Sequence, residues 1–442
     1  MTRFGVFSRG LAFAMLHGPW QSAALHAHCE LALGGKPAWL AGLVERVLVA
    51  FDEAPEEADT LSVFIEQDEP LRLALPYGRP HPNIRKWFFP AQHMRSVSGA
   101  PASFRVPWIE NAGALAAFLG ITVPELDWLA DMQRINARRT QPRLRHYHYR
   151  WVKKRGAGYR LLETPKHQLK AIQRTICQQV LARMPPSASA HGFVRERSVL
   201  SFVAPHVGQR VVLRLDLENF FCSIRLSRVR AMFMRVGYPR DVAQLLASVC
   251  AVPTPEDVLA SQPYHGDRHA FTTLLRDAHL PQGAPTSPAL SNLAAFKLDR
   301  RLAGLASACG AQYTRYADDL AFSGDQVFER RVSAFIVRVA VIVIEEGFRV
   351  RYRKTRVMRS GRRQQLTGLV LNERLNVPRP AFDDLRALLY NAVRFGPESQ
   401  NRAQHPDFRA QLAGRISWIA STHPTRGARL SRLFEQIDWS GA

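Results

Sequence analysis

The chain has little cysteine. Cys29, Cys177, Cys222, Cys250 and Cys309 are scattered through 442 residues without a C-x-x-C pair. That spacing excludes a disulfide framework and a zinc ribbon, and leaves thiols of the core in a reducing compartment. Long apolar runs are missing too, since the longest, residues 339–344, is far below the roughly 20 residues of a bilayer span. Near the start, Arg3 and Arg9 flank an apolar segment at residues 11–16, shorter than the usual signal-peptide core of about 7–15 residues. A cytoplasmic protein with no membrane partner is expected. Acid is the third scarcity. Thirty-seven Asp and Glu face 60 Lys and Arg, a net charge of +23, which points to a polyanionic partner such as nucleic acid.

The excess is uneven. Residues 1–100 hold nine Lys and Arg against ten Asp and Glu, so the basic surplus lies entirely after them. It is densest from Arg134 to Arg174, where thirteen Lys and Arg meet one acid, Glu163, among Tyr147, Tyr149, Trp151 and Tyr159. Cations neutralise phosphates while aromatic faces stack on bases, although an isolated charge run is more often a solvated face. Residues 147–152 read as a strand, Gly156 and Gly158 as its turn, and residues 159–162 as the return. Residues 166–184 read as a helix stopped by Pro185 and Pro186. Residues 109–135 look like short amphipathic helices, with Leu115, Leu119, Leu126 and Leu129 at near-helical spacing.

The chemistry begins at Val211-Val212-Leu213-Arg214-Leu215-Asp216, a buried-strand pattern that ends in a carboxylate. Such an Asp is a metal-ligand candidate, and equally a cap for the next helix. The second piece is Tyr313 to Ser323, which reads as strand, tight turn and strand with Asp318 and Asp319 at the tip. Adjacent acids in a turn are ordinarily just polar surface. Here the flanks are apolar, and carboxylates gathered in a buried place repel unless a cation neutralises them. Oxygen ligands without His or Cys point to Mg²⁺, and three carboxylates can hold two such ions for an in-line phosphoryl displacement. Between the pieces, residues 280–288 form a Pro- and Gly-rich loop carrying Gln282, followed by a helix over residues 289–302. Lys354-Thr355 and a short strand at residues 364–372 complete the set.

In this order the motifs resemble the bacterial reverse transcriptases, and the retron reverse transcriptases most closely, over residues 147–378. The quoted elements are Gly158-Tyr159-Arg160, Ala190-His191-Gly192-Phe193, Asp216 with Phe220-Phe221, Gln282 to Pro288, Tyr316-Ala317-Asp318-Asp319, Lys354-Thr355 and Thr367-Gly368-Leu369. Two elements depart from the retron pattern. Residues 202–206 keep only His206 of Asn-Ala-x-x-His, and Leu366-Thr367-Gly368 has Leu in place of Val.

The resemblance implies an α+β right-hand polymerase with fingers, an antiparallel palm sheet and a helical thumb. It divides the chain into an N-terminal extension (1–130), fingers and palm (131–375) and thumb (376–442). Asp216, Asp318 and Asp319 would ligate two Mg²⁺ ions, Lys354 would protonate the leaving pyrophosphate, and Arg160, Phe221 and Gln282 would bind the nucleotide, Phe221 as the steric gate against a 2′-hydroxyl. Arg160 and Lys354 are also plausible as plain surface cations. Lys153, Lys154, Arg155 and His206 would face nucleic acid. The implied partners are a structured noncoding RNA that serves as template and primer, deoxynucleoside triphosphates and an RNA–DNA hybrid product made as branched msDNA. A role in phage defence and a toxin or effector partner follow from the same likeness. A non-retron defence polymerase and a degenerate binding module stay open as alternatives at this point.

Overall fold

Alternate residues of a strand point to opposite faces, so a strand that carries apolar residues on both faces must be covered on both. That is the situation of β3 (Val211–Asp216) in the computed structural model, which describes all residues but 1–2, 56–57, 76–82, 89–93, 95–104, 134, 139–140, 155–157, 264–267 and 441–442. Val211, Leu213 and Leu215 enter one core; Val212 enters another. β3 is an inner strand of an antiparallel sheet ordered β4-β5-β3-β6, with β4 Gln312–Tyr316, β5 Asp319–Gly324 and β6 Arg356–Arg359. On one face, helices over residues 226–235, 240–250, 287–294, 296–308 and 326–345 supply Phe233, Leu246, Leu290, Leu302 and Phe335 to the first core. The opposite face, through Val212 and Ala321, meets Phe202, Leu366 and Leu369 together with three helices, Arg379–Phe395, Phe408–Thr422 and Pro424–Glu435.

A separate antiparallel hairpin, β1 (Tyr147–Lys153) and β2 (Tyr159–Pro165), pairs Val152 with Arg160 and Tyr149 with Glu163. Its turn is partly outside the described residues, Gly156 among them; Gly158 has φ +91, which glycine tolerates without strain. The helix expected over residues 166–184 ends earlier, at Gln179, and a 3₁₀ turn at Leu181–Arg183 carries the chain to the prolines. The helix expected over 289–302 is two helices, Ser287–Ala294 and Phe296–Ala308. The single strand expected over 364–372 is a hairpin of two-residue strands, β7 (Gln365–Leu366) and β8 (Leu369–Val370). Both turn residues are left-handed, Thr367 at φ +46 and Gly368 at φ +89, as a two-residue hairpin turn requires.

The chain divides into two compact units, Met1–His93 and Met94–Ala442. The first is helical: Arg3–Met15, Ser22–Leu33, Trp39–Ala50, Ala58–Gln67 and Glu69–Ala74 bury Leu11, Leu25, Leu43, Leu61 and Ile65. Asp68 caps the last of these through the Leu71 N–H and pairs with Arg46 at 2.6 Å. Residues 112–130 form two short helices, the second opened by a Thr122–Glu125 capping box. Leu115, Leu119, Leu126 and Leu129 join Leu169 and Ile172 in the core of the second unit, so these helices belong physically with the hairpin and sheet. Among the described residues no single helix is long and apolar enough to cross a membrane.

Candidate active site

Antiparallel register sets the first pair of acids. Asp216, at the end of β3, is the partner of Asp319, the first residue of β5, and directly opposed residues lie about 5 Å apart. The turn from β4 to β5 is tight because Ala317 takes the left-handed conformation at φ +54. The Asp318 carbonyl, next in the turn, accepts from Leu217 N–H at 2.8 Å, which ties the turn to the residue after Asp216. The three acids therefore share one end of the sheet.

Their electrostatics differ. Asp216 is only 3% exposed. One of its oxygens accepts from Lys354 Nζ at 2.7 Å; the other, Oδ1, is buried without a hydrogen-bond partner, 3.5 Å from Arg351 Nη1. Asp319 receives Nε and Nη2 of Arg214 at 2.7–3.0 Å. Burial pushes its pKa up, with Arg214 opposing. Asp318 is pushed up to about 6, by burial first and then by the charges of Asp319 and Asp216. Such a cluster favours whatever cation can reach it. Among the described residues no three His, Cys, Asp or Glu side chains are set around one metal-sized point. The side chains present nevertheless fit a hard divalent ion: the donors are carboxylate oxygens, and Asp216 Oδ1 is a buried acceptor without a donor.

Around the acids, Phe221 is half-buried, with its ring centroid 5.6 Å from Phe220 and 6.3 Å from Phe193. Gln282 sits on a loop fastened to the hairpin, since its carbonyl accepts from Glu163 N–H at 2.9 Å. Gly283 follows at φ +135, where a Cβ would lie 3.1 Å from the Glu163 carbonyl. Beneath this joint the carboxylate of Glu163 is fully buried between His279 Nε2 at 3.0 Å and the Thr254 hydroxyl at 2.7 Å. Burial draws the His279 pKa down, but the Glu163 charge, its hydrogen bond and that to the Asp277 carbonyl together outweigh it and hold the imidazole above its usual range. Lys154 is half-buried, and its pKa is lowered by burial and by Arg351 and Lys354. It thus belongs to the same cationic group; Lys153 and Arg160 are exposed on the hairpin. Arg155 lies outside the described residues.

His206 needs a correction. Expected against nucleic acid, it is fully buried under the sheet, between Ser323 and Thr314. Thr314 donates its one hydroxyl proton to the Phe202 carbonyl, so it accepts from His206 Nε2–H, and Nδ1 accepts from Ser323. The ring is neutral and satisfied; it braces β4 and β5 from below. Arg214 and Arg351 were missed by sequence reasoning. A lone cation inside the apolar run 211–216, two residues from Asp216 on its face, is the signal that could have found Arg214.

An antiparallel sheet with acids at one end, a ring beside them and a basic hairpin in the same unit is the organisation of a nucleic-acid polymerase palm. The family described as reverse transcriptase (RNA-dependent DNA polymerase) matches residues 152–379. The chain is 40% identical over 332 residues to the Retron Mx65 reverse transcriptase of Myxococcus xanthus, covering 75% of this chain and 73% of that one. It is 36% identical over 346 residues to the Retron Mx162 enzyme of the same organism, covering 74% and 67%. To the Retron Ec86 enzyme of Escherichia coli it is 31% identical over 290 residues, covering 65% and 80%. The protein is an RNA-directed DNA polymerase with the right-hand fold, an enzyme class that works with divalent metal ions. Within that class it belongs to the retron reverse transcriptases.

Proposed function

We propose that this enzyme copies part of a structured noncoding RNA into single-stranded DNA, giving a branched msDNA, with Asp216, Asp318 and Asp319 holding two Mg²⁺ ions at the point of nucleotidyl transfer. The observation that carries the reading is the pairing of Asp216 with Asp319 beside an Asp318 whose pKa is raised by burial and then by their charges. Bound there, the ions would activate the primer hydroxyl and offset charge on the triphosphate. The chain's own groups do the rest. Lys354, already on Asp216, is in place to give a proton to the departing pyrophosphate. Lys154, Arg351 and the exposed Arg160 offer positive charge to the triphosphate. Phe221 walls the sugar, and Gln282 is presented from a loop that the Glu163 N–H fixes.

Residues 131–375 are assigned to fingers and palm and 376–442 to the thumb. Residues 105–130 pack as support in that unit, and Met1–His93 are taken as the extension proper. That extension is the natural place for a toxin or effector partner, and phage defence is the biological role this reading supports. The surplus of positive charge after residue 100 suits a long RNA–DNA ligand.

The test is extension of oligo(dT) on poly(rA) with Mg²⁺ and dTTP by the full chain and by Asp318→Asn. The wild type should incorporate and the variant should lose at least about a thousandfold, because a ligand to the reacting centre is gone. Equal incorporation would refute the assignment. Nucleic acid co-purifying with the wild type should contain a branched RNA–DNA species; unrelated linear DNA alone would refute the msDNA part.

A further inference from the structure

Arg315 stands in β4, three residues before Asp318, and is completely buried. Its Nε and Nη2 each donate to the equally buried carboxylate of Asp299, on the helix over residues 296–308, at 2.7 Å. Asp299 also accepts from the Tyr313 hydroxyl at 2.8 Å. A buried ion pair of this kind is poor value for stability, because desolvation cancels most of the attraction and apolar side chains often serve as well. Its geometry suggests another use. The remaining nitrogen, Nη1, donates to Asn292 Oδ1 at 3.0 Å and to the carbonyl of Ala317 at 3.1 Å. Ala317 is the left-handed residue that makes the turn, a conformation that is uncommon for a residue with a Cβ.

The same turn is pressed from a second direction. Asn292 Nδ2 donates to the Gly192 carbonyl at 2.9 Å, and a Cβ on Gly192 would come within 2.7 Å of Ala317 N. The backbone leading into Gly192 is tied to Arg315 itself: His191 N–H donates to the Arg315 carbonyl and Arg315 N–H to the Ser189 carbonyl, both at 2.7 Å. Leu217 N–H holds the far end of the turn at the Asp318 carbonyl. The Ala317–Asp318 segment is thereby gripped at each of its carbonyls, one from the interior and one from β3's end.

We propose that Arg315, seated by Asp299 and Asn292, is a positioning residue that sets the backbone of the Ala317–Asp318 turn and so the direction in which Asp318 and Asp319 present their carboxylates. The inference rests on reading those two acids as catalytic. A guanidinium suits the role because its planar fork grips Asp299 with two nitrogens and still has a third donor at a fixed angle; a lysine ammonium cannot fill all three places. The Ala190-His191-Gly192-Phe193 motif then serves as the packing partner of the turn, with glycine required by contact distance.

The experiment measures thermal midpoint, kcat and KM for dTTP on poly(rA)/oligo(dT) for Arg315→Lys, for the double variant Asp299→Leu/Arg315→Met, and for Gly192→Ala, with wild type and Asp318→Asn as controls. Misplacing a reacting group by about 1 Å costs on the order of 100-fold. Each variant should therefore lose about 10- to 100-fold in kcat while KM for dTTP stays within about threefold. The apolar double variant should melt near the wild-type temperature and remain slow, which separates positioning from stability. Should Arg315→Lys fail to fold, Gly192→Ala leaves the ion pair intact and carries the same expected split. A folded double variant with wild-type kcat overturns the proposal, and so does a loss confined to KM. If the wild type itself fails to extend while folded, it is the polymerase assignment of Asp318 that falls, and Asp318→Asn will match it.

Discussion

The neutral state of His206 has a measurable consequence in acid. The ring is wholly buried, and its pKa is pushed down to about 3, by burial first and by the neighbouring His191 second. An unfolded chain takes up that proton near the ordinary histidine value of about 6.5. Between these values the unfolded state binds more protons than the folded one, so stability falls as pH falls, by about 1.4 kcal/mol per pH unit at full effect. From pH 6 to pH 4.5 the penalty from this one ring is about 2 kcal/mol. His206→Gln keeps one donor for Thr314 and one acceptor for Ser323 but cannot titrate. Urea unfolding of both proteins across that range, compared as a difference, removes the carboxylates they share. The wild type should lose about 2 kcal/mol more than the variant. Parallel curves would refute the argument, because they would mean that the buried imidazole is protonated as easily in the fold as out of it.

Two further perturbations test the nucleotide pocket. Phe221→Val shortens the ring wall beside Phe193 and Phe220 and should raise the ratio of ribo- to deoxyribonucleotide kcat/KM by about tenfold or more; an unchanged ratio would remove Phe221 from sugar selection. Glu163→Gln leaves the buried His279 without its counter-charge and should cost about 3 kcal/mol in urea unfolding, most of it restored by adding His279→Gln. A cost below about 0.5 kcal/mol would show that the pair does not hold the Gln282 loop to the hairpin.

How much of this could be read in the sequence depended on range. β3 and the hairpin that carries Asp318 and Asp319 were legible because their apolar runs are covered on both faces, so the pattern is strong over only six residues. The β7–β8 hairpin was not, since two-residue strands have no periodicity and its turn uses Thr367, which carries no turn signal of its own. Residues 109–135 read as short amphipathic helices, but amphipathicity says which face is buried and not against what. Which cation answers which acid was invisible for a related reason, although Lys354 itself was singled out. Arg214 and Asp319 are 105 positions apart and Lys354 and Asp216 are 138 apart; the register of β3 with β5 brings the first pair together, and the pairing of β3 with β6, which follows Lys354, the second. His206 misled because a motif position was taken for a surface position.

The distribution of those cations separates the three acids by role. Asp216 and Asp319 each have a partner in the chain, Lys354 with Arg351 for the one and Arg214 for the other. Asp318 has no cation within ion-pair distance among the described residues, and of the three it is the one pushed up to about 6. The protein thus gives two carboxylates an ion-pair partner and leaves the third, at the apex of the left-handed turn, with only the more distant charge of Lys354 opposing the shift. Such a group gains most from an arriving divalent ion, because binding relieves both its burial penalty and its repulsion from Asp319 and Asp216. It also has the least to fix its direction, lacking a side-chain partner of its own. Its aim must then come from the backbone, which is where the donor from Arg315 and the contact at Gly192 act. The buried ion pair and the open carboxylate are two halves of one arrangement: positional control is placed behind the turn so that none is needed in front, where on the proposed reading the nucleotide and the metal enter.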